Sequence, residues 1–271
     1  MMRSKFVLAQ LTSVGDAAVN LAKAREYMAR AYEEEHPDLM VFPELFMSYF
    51  PAKTPHNIVI ETAQSVDGPF VTALSREAKK YGMWVVCGIS ERVEDPNDPR
   101  KYNTTVVINA EGELAAVYRK THLYDAFGYR ESDTNKPGNR FFEPINTPFG
   151  RIGLFVCYEV RFPEIARYQR SKGADVMIVP TAWSEGKLKS QQFHTLIDAR
   201  AIENAVYMVA CDLCGDGFLG ESCIVDPMGV NIAMAGETEQ LLAGVIDTDR
   251  VEAVRKKLPA YQDRRPELYT I

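Results

Sequence analysis

The sequence predicts an α/β fold in which two β-sheets pack face to face and helices cover their outer faces. In both halves of the 271-residue chain, short apolar segments of strand length alternate with longer amphipathic segments, which is typical of folds with buried sheets. The pattern gives roughly ten strands or more, too many for one open twisted sheet, and two stacked sheets remove this difficulty. Because no linker rich in Ser, Gly or Pro divides the sequence, we predict a single domain over residues 1–271.

The N-terminal half begins with an apolar strand at residues 5–10, followed by an amphipathic helix at 17–34. Apolar side chains recur on one side of this helix with helical spacing, at Leu21, Ala24, Tyr27, Met28 and Ala31. The remaining elements predicted in this half are strands at 38–42 and 83–89, a helix at 69–81, and a hairpin at 104–118 that turns at Glu111-Gly112.

The C-terminal half repeats the alternation after a long polar stretch at residues 121–138. This stretch has no clear periodicity, and loops of such length are usually functional or mobile. The elements predicted beyond it are strands at 151–156, 175–179, 206–210 and 241–246, helices at 163–173, 188–204 and 250–257, and a strand pair that turns at Pro227-Met228-Gly229.

Composition and charge favour small-molecule chemistry. The formal net charge of -6 and the absence of a basic cluster with interleaved aromatic residues argue against nucleic-acid binding. No apolar run approaches the roughly 20 residues that span a membrane, and the first residues lead directly into a strand, unlike a signal peptide. We therefore expect a cytoplasmic protein that binds neither nucleic acid nor membrane.

Cysteine usage fits a reducing compartment. The five cysteines are an odd number without a regular framework, which favours free thiols over disulfides. Cys211 and Cys214 have C-x-x-C spacing, but no second pair of Cys or His residues lies near them to complete a zinc site. We predict no metal and no cofactor.

Three reactive side chains stand at the ends of apolar runs: Glu44, Lys120 and Cys157. In α/β folds ligands collect at such strand ends. Cys157 lies between a predicted strand and a predicted helix, where a helix N-terminus or a cation would lower the pKa of the thiol. Each residue also has a simpler interpretation, since a Glu or Lys beside a strand is most often solvated and a lone Cys is most often buried packing.

The segments around these residues resemble a known family. Phe42-Pro43-Glu44-Leu45, Tyr118-Arg119-Lys120-Thr121-His122-Leu123 and Cys157-Tyr158-Glu159-Val160-Arg161-Phe162-Pro163-Glu164 are similar, in this order, to the three signature regions of the nitrilase superfamily of carbon-nitrogen hydrolases. The resemblance covers essentially the whole chain. It implies a four-layer αββα sandwich of two mixed β-sheets flanked by helices, and a homodimer or higher homo-oligomer.

The resemblance also implies a catalytic set: the Glu-Lys-Cys triad corresponds to Glu44, Lys120 and Cys157, and a second glutamate corresponds to Glu131. A neutral amide is a poor electrophile, so its hydrolysis needs a thiolate, a proton acceptor and positive charge at the carbonyl oxygen. Glu44 would be the base, and Lys120 with the backbone N–H of Tyr158 would hold the oxyanion. The expected reaction converts a small primary amide into a carboxylic acid and ammonia through a thioester on Cys157.

Other functions remain open from the sequence. A nitrilase or an N-carbamoyl amidohydrolase of the same superfamily would use the same residues. A cysteine-histidine hydrolase would use His122 or His194 as its base. From a different class, the chain could be a catalytically silent small-molecule-binding or interaction protein, although it keeps all three reactive side chains.

The residues after the lysine and in the C-terminal tail resemble most closely the amidase branch that contains ω-amidase and deaminated glutathione amidase. In this family the loop after Val179 tends to line the pocket, so Thr181 and Trp183 are predicted to bind substrate together with Tyr49 and Phe127. Phe46 and Phe193 are further candidates for the pocket wall. We expect Arg161 to be structural and to pair with a nearby carboxylate.

Overall fold

The computed structural model describes residues 3–95, 97–215 and 217–269. In these residues the α-helices are α1 (Ala17–Glu34), α2 (His56–Glu61), α3 (Pro69–Tyr81), α4 (Pro163–Ser171), α5 (Lys189–Asn204) and α6 (Thr248–Lys257). Short 3-10 helices cover Glu131–Asp133, Cys157–Arg161 and Pro266–Leu268.

The strands that form the two large sheets and two small ribbons are, in chain order, β1 (Arg3–Gln10), β2 (Leu39–Val41), β3 (Trp84–Arg92), β4 (Lys101–Ile108), β5 (Leu114–Arg119), β6 (Asp125–Ala126), β7 (Tyr129–Arg130), β8 (Ile145–Thr147), β9 (Gly150–Leu154), β10 (Val176–Thr181), β11 (Tyr207–Asp212), β12 (Cys214–Gly215), β13 (Phe218–Leu219), β14 (Cys223–Val225), β15 (Asn231–Met234) and β16 (Gln240–Asp247).

Both large sheets have six strands and mix parallel with antiparallel pairs. The order in the first sheet is β16-β1-β2-β3-β4-β5, and the order in the second is β15-β14-β11-β10-β9-β8. Strands β1, β2 and β3 are parallel neighbours, as are β9, β10 and β11. The carboxyl ends of these parallel strands place the following loops at one edge of each sheet.

Alternate residues of the sheets face different layers, as strand geometry requires. Phe6 and Leu8 of β1 belong to a cluster that contains residues of both sheets, such as Ile178 of β10. Val7 and Ala9, which alternate with them along β1, pack in a separate cluster with residues of α1 and α3. Helix α4 contacts β9 of the second sheet, and α5 contacts β11 and β14 of the same sheet. The predicted αββα sandwich is therefore confirmed.

Two helices match their predicted ranges residue for residue because their ends carry strong local signals. The Asp16 side chain accepts hydrogen bonds from Ala18 N and Val19 N at the start of α1, which is the usual N-cap interaction. Helix α3 starts at Pro69 and is terminated by Gly82, the residue after Tyr81, which has the left-handed conformation. The short elements α2 and β8 and the ribbon β6-β7 were not predicted.

No helix in the described ranges is both long and apolar enough to cross a membrane.

Candidate active site

Glu44, Lys120 and Cys157 converge on one cavity of about 340 Å³. Glu44 lies in the loop after β2, Lys120 directly follows β5, and Cys157 opens the 3-10 helix after β9. Glu131 and Tyr158 also line this cavity. The two sheets thus contribute different parts, the charged side chains from the first half of the chain and the thiol from the second.

The ammonium of Lys120 lies between two carboxylates. Its Nζ donates to Glu44 Oε1 at 2.8 Å and to Glu131 Oε2 at 2.9 Å, and all three side chains are buried. Burial by itself lowers the pKa of Lys120, but the charges of Glu131 and Glu44 outweigh it and raise that pKa well above its usual value. Lys120 is therefore a permanent cation in this site.

Asn103 on β4 completes this array, and its role was not predicted. Its Nδ2 donates to Glu44 Oε1 and to Glu131 Oε1, each at 2.8 Å. Burial by itself raises the pKa of Glu131, but Lys120 and the Asn103 amide together bring it below its usual value. Because the amide holds both carboxylates at once, it fixes the distance between them.

The second oxygen of Glu44 accepts a hydrogen bond from the backbone N–H of Ala182 at 2.8 Å, in the loop after β10. The Glu44 segment also runs tightly against Gly88 of β3. A Cβ atom on Gly88 would lie 2.5 Å from Pro43 O and 2.7 Å from Glu44 Cα, closer than real contacts allow. Position 88 therefore has to be glycine for the Glu44 carboxylate to reach its place.

Cys157 is held in a left-handed backbone conformation, with φ of 47°. Such strain in a residue other than glycine is uncommon and clusters at functional sites. Burial and then the charge of Glu44 raise the pKa of the thiol well above its usual value, although Lys120 and the Ala182 N–H act in the opposite direction. The expected cation is present, since Lys120 acts to lower this pKa, but desolvation and the Glu44 carboxylate outweigh it. The resting group is a thiol that needs a base.

Glu159 connects the nucleophile segment to the lysine segment, and sequence reasoning missed it. Its Oε2 accepts from Val156 N at 2.8 Å, and its Oε1 accepts from Thr121 N at 2.8 Å and from Tyr118 Oη at 2.8 Å. The carboxylate is fully buried. A signal was present, since Glu159 lies within the cysteine motif, two residues after Cys157.

The predicted wall residues divide into two groups. Tyr49, Phe127 and Trp183 line the cavity, whereas Phe46 and Phe193 are fully buried in the cores. Thr181 does not line the cavity. Its hydroxyl donates to Asp212 Oδ1 at 2.6 Å, and the same oxygen accepts from Trp183 N at 2.8 Å. Thr181 therefore supports the Trp183 loop from behind.

Both histidines considered as alternative bases are engaged away from the cavity lining. His122 Nδ1 is 2.9 Å from Thr121 Oγ1, and its ring packs 4.2 Å from the ring of Phe162. His194 Nε2 is 2.8 Å from Glu221 Oε2. The arrangement supports Glu44, and neither histidine, as the base for Cys157.

Three further cations line the cavity: Lys101, Arg161 and Lys189. Arg161 donates to Gln192 Oε1 at 2.9 Å and lies over the Trp183 ring at 4.8 Å. The carboxylate partner expected for Arg161 is not found among the described residues, so that pairing stays a prediction. Lys101 and Lys189 were not predicted as site residues.

Within the described ranges, no group of three or more His, Cys, Asp and Glu side chains is arranged to hold a metal ion.

The family profile described as carbon-nitrogen hydrolase matches residues 7–256. The chain therefore belongs to the carbon-nitrogen hydrolase family. The deaminated glutathione amidase of Escherichia coli O157:H7 is 37% identical, over 88% of each protein. The omega-amidase NIT3 of Saccharomyces cerevisiae is 32% identical, over 98% of this chain and 94% of the relative.

Solved structures agree with this assignment. The structure of Saccharomyces cerevisiae Nit3, a member of branch 10 of the nitrilase superfamily, matches with a TM-score of 0.83 at 30% identity, over 97% of each chain. A mutant amidase from Nesterenkonia sp. AN1 matches with a TM-score of 0.79 at 26% identity, over 98% of this chain and 95% of that one, and carries the acetamide moiety of fluoroacetamide covalently at its active site cysteine. The chain is accordingly a carbon-nitrogen hydrolase that acts on non-peptide amides, as the sequence predicted.

Proposed function

We propose that Cys157 is the nucleophile, Glu44 the general base, and Lys120 the oxyanion-stabilising cation of this amidase. The observation that carries the proposal is that the Glu44–Lys120–Glu131 array and the Cys157 thiol open onto one cavity. Because the thiol has a raised pKa, it is deprotonated only as it attacks, and Glu44 is the carboxylate whose charge acts on it most strongly.

Each step then has a donor and an acceptor. Glu44 takes the thiol proton while sulfur bonds to the carbonyl carbon, and the oxygen gains negative charge beside Lys120 and the backbone N–H of Tyr158. The C–N bond breaks as the proton on Glu44 passes to nitrogen, which releases ammonia and leaves a thioester. Glu44 then deprotonates water, which attacks the thioester and releases the acid and the thiol.

Glu131 is a positioning residue in this scheme. Its Oε2 accepts from Lys120 Nζ at 2.9 Å and from Tyr124 N at 2.7 Å, and it shares the Asn103 amide with Glu44. The two carboxylates keep the Lys120 ammonium charged and hold it in one orientation. The side chain therefore does not have to move when the oxyanion forms.

The substrate proposed is a small primary amide whose acyl group carries a carboxylate. Four cationic side chains and only two anionic ones line the cavity, and both anions are paired with Lys120. The remaining cations favour an anionic ligand. The names of the relatives, a deaminated glutathione amidase and an omega-amidase, support this choice. Tyr49, Phe127 and Trp183 would contact the apolar part of the acyl chain.

We also propose that this single-domain enzyme works in the cytoplasm as a homodimer. All five cysteines are unpaired thiols, which suits a reducing compartment. Ile202 on α5 is 47% exposed and Val230 beside β15 is 54% exposed, and Gly229 packs against Ile202. These neighbouring apolar residues offer a surface for a second copy of the chain.

Release of ammonia from a panel of substrates tests the function. Glutaramate and pentanamide, which have the same chain length with and without a carboxylate, should both be hydrolysed, and glutaramate should be preferred. Cys157→Ala should abolish both activities. The panel also contains pentanenitrile and an N-carbamoyl amino acid. Faster turnover of either of these than of both amides would contradict the amide assignment, and absence of all turnover would contradict the assigned catalytic roles.

A further inference from the structure

Lys101 is a buried cation at the cavity that the catalytic steps do not use. It starts strand β4, the residue is 3% exposed, and it lines the cavity. Asn103, two residues further on, holds both Glu44 and Glu131. Because side chains two apart on a strand point to the same face, at about 7 Å along it, Lys101 faces the active site from the same strand face as Asn103.

The ammonium of Lys101 has no carboxylate partner among the described residues. Its Nζ donates to Asn135 Oδ1 at 3.0 Å, which is a neutral acceptor, while an ammonium has three N–H donors. Leaving a buried charge without a counter-charge is costly. Burial lowers the pKa of Lys101 to about 8, against the opposing charges of Glu131 and Glu44 and with a further contribution from Lys120. It therefore remains mainly charged at neutral pH.

The other cations of the cavity already have partners. Lys120 is paired with two carboxylates. Arg161 is bound to Gln192 and stacked on Trp183. Lys189 Nζ lies 4.3 Å from the Phe127 ring centre and 3.4 Å from Tyr124 Oη. Three cations of the cavity, Lys101, Arg161 and Lys189, thus have no carboxylate partner among the described residues. Lys101 is the most deeply buried of these three.

We infer that Lys101 determines substrate specificity by binding the carboxylate at the far end of the acyl chain, opposite the amide attacked by Cys157. The inference rests on the proposed amidase function and assigns to it a residue that the catalytic steps leave unused. The substrate carboxylate accepts charge-assisted hydrogen bonds from Nζ and replaces the counter-charge that the protein itself does not provide.

The test compares glutaramate with pentanamide in the wild type and in Lys101→Met. The substitution should lower kcat/KM for glutaramate about 10- to 100-fold, the range expected for losing a hydrogen bond to a charged group. The loss should appear mainly in KM. Pentanamide should lose far less, because it has no carboxylate to bind.

Lys136→Met is the matched control. Lys136 is adjacent to the same stretch, its backbone N–H donates to Lys101 O, and its ammonium pairs with Asp98 at 3.2 Å, outside the cavity lining. The control variant removes the same charge and should leave the preference for glutaramate unchanged. Lys101→Arg, which retains the charge, should recover part of the preference that Lys101→Met loses.

The possible outcomes separate this inference from the proposed function. Equal losses on both amides would overturn it, since Lys101 would then act on the catalytic array, and no loss on either would also overturn it. A wild-type enzyme that hydrolyses pentanamide without preferring glutaramate contradicts the role of Lys101 and the carboxylate-bearing substrate but leaves the amidase chemistry standing, whereas one that hydrolyses neither contradicts the proposed function. Should Lys101→Met fail to fold, competition in the wild type decides: glutarate should inhibit pentanamide hydrolysis more strongly than pentanoate, and equal inhibition would overturn the inference.

Discussion

Lys120 and Lys101 are both buried lysines of one cavity, and their surroundings give them opposite properties. Lys120 lies between Glu44 and Glu131 and has a pKa well above its usual value. Lys101 contacts the neutral Asn135 and has a pKa lowered to about 8. Since both are almost fully buried, the difference comes from the carboxylates that contact one lysine and not the other.

The difference separates a catalytic cation from a recognition cation. Preorganised positive charge must be present throughout the reaction, and two carboxylates provide for that at Lys120. A cation that recognises a ligand gains most from the ligand's charge when its own partners are weak, as at Lys101. Burying a charge without a counter-charge costs folding free energy, so the comparison predicts contrasting effects on both activity and stability.

The largest expected contrast is between Lys120→Met and Lys101→Met. Lys120→Met should lower kcat about 1,000-fold or more and reduce the free energy of unfolding by about 3–5 kcal/mol, because two buried carboxylates lose their partner. Lys101→Met should leave stability unchanged or raise it by about 1–3 kcal/mol, because an unpaired buried charge is removed. Urea unfolding at pH 7 and steady-state kinetics measure both effects.

Lys136→Met again serves as the surface reference and should change stability by less than about 1 kcal/mol. If both cavity variants lost the same free energy of unfolding, the two lysines would have equivalent partners and the comparison would fail.

A smaller effect is expected from pH. Lys101 loses its proton as pH rises through about 8, a pKa to which the charges of Glu131, Glu44 and Lys120 contribute. Lys120 itself stays charged over this range. The ratio of kcat/KM for glutaramate to that for pentanamide should therefore be constant below this pH and fall toward the Lys101→Met value above it, since kcat/KM reports groups of the free enzyme. Lys101→Met should show a flat ratio over the same range. A wild-type ratio that rises with pH would be incompatible with a binding cation at this position.

The sequence was sufficient for the features that depend on local signals. Helix α1 could be predicted because the Asp16 cap and the spacing of Ala24, Tyr27 and Met28 lie in one segment. Glu44, Lys120 and Cys157 could be predicted because each is at the end of an apolar run and within a family motif. Their assembly on one cavity was implied by the resemblance and is what the structure shows.

The residues that were missed depend on contacts between distant segments. Asn103 is 59 residues from Glu44 and 28 from Glu131, and in the sequence it is an ordinary polar residue of a strand. Lys101 has the appearance of a solvated strand end, but it is buried, and residues 134–136, more than 30 positions away in sequence, hydrogen-bond to its backbone and its ammonium. The raised pKa of Cys157 likewise comes from tertiary burial and from Glu44, which no local pattern specifies.

The most direct test of the catalytic assignment is acid-quenched mass spectrometry of the wild-type enzyme during turnover of glutaramate. The account predicts a covalent adduct with the mass of the glutaryl group, mapped to the peptide that contains Cys157 and absent from Cys157→Ala. An adduct on another cysteine, or hydrolysis by Cys157→Ala at the wild-type rate, would contradict it.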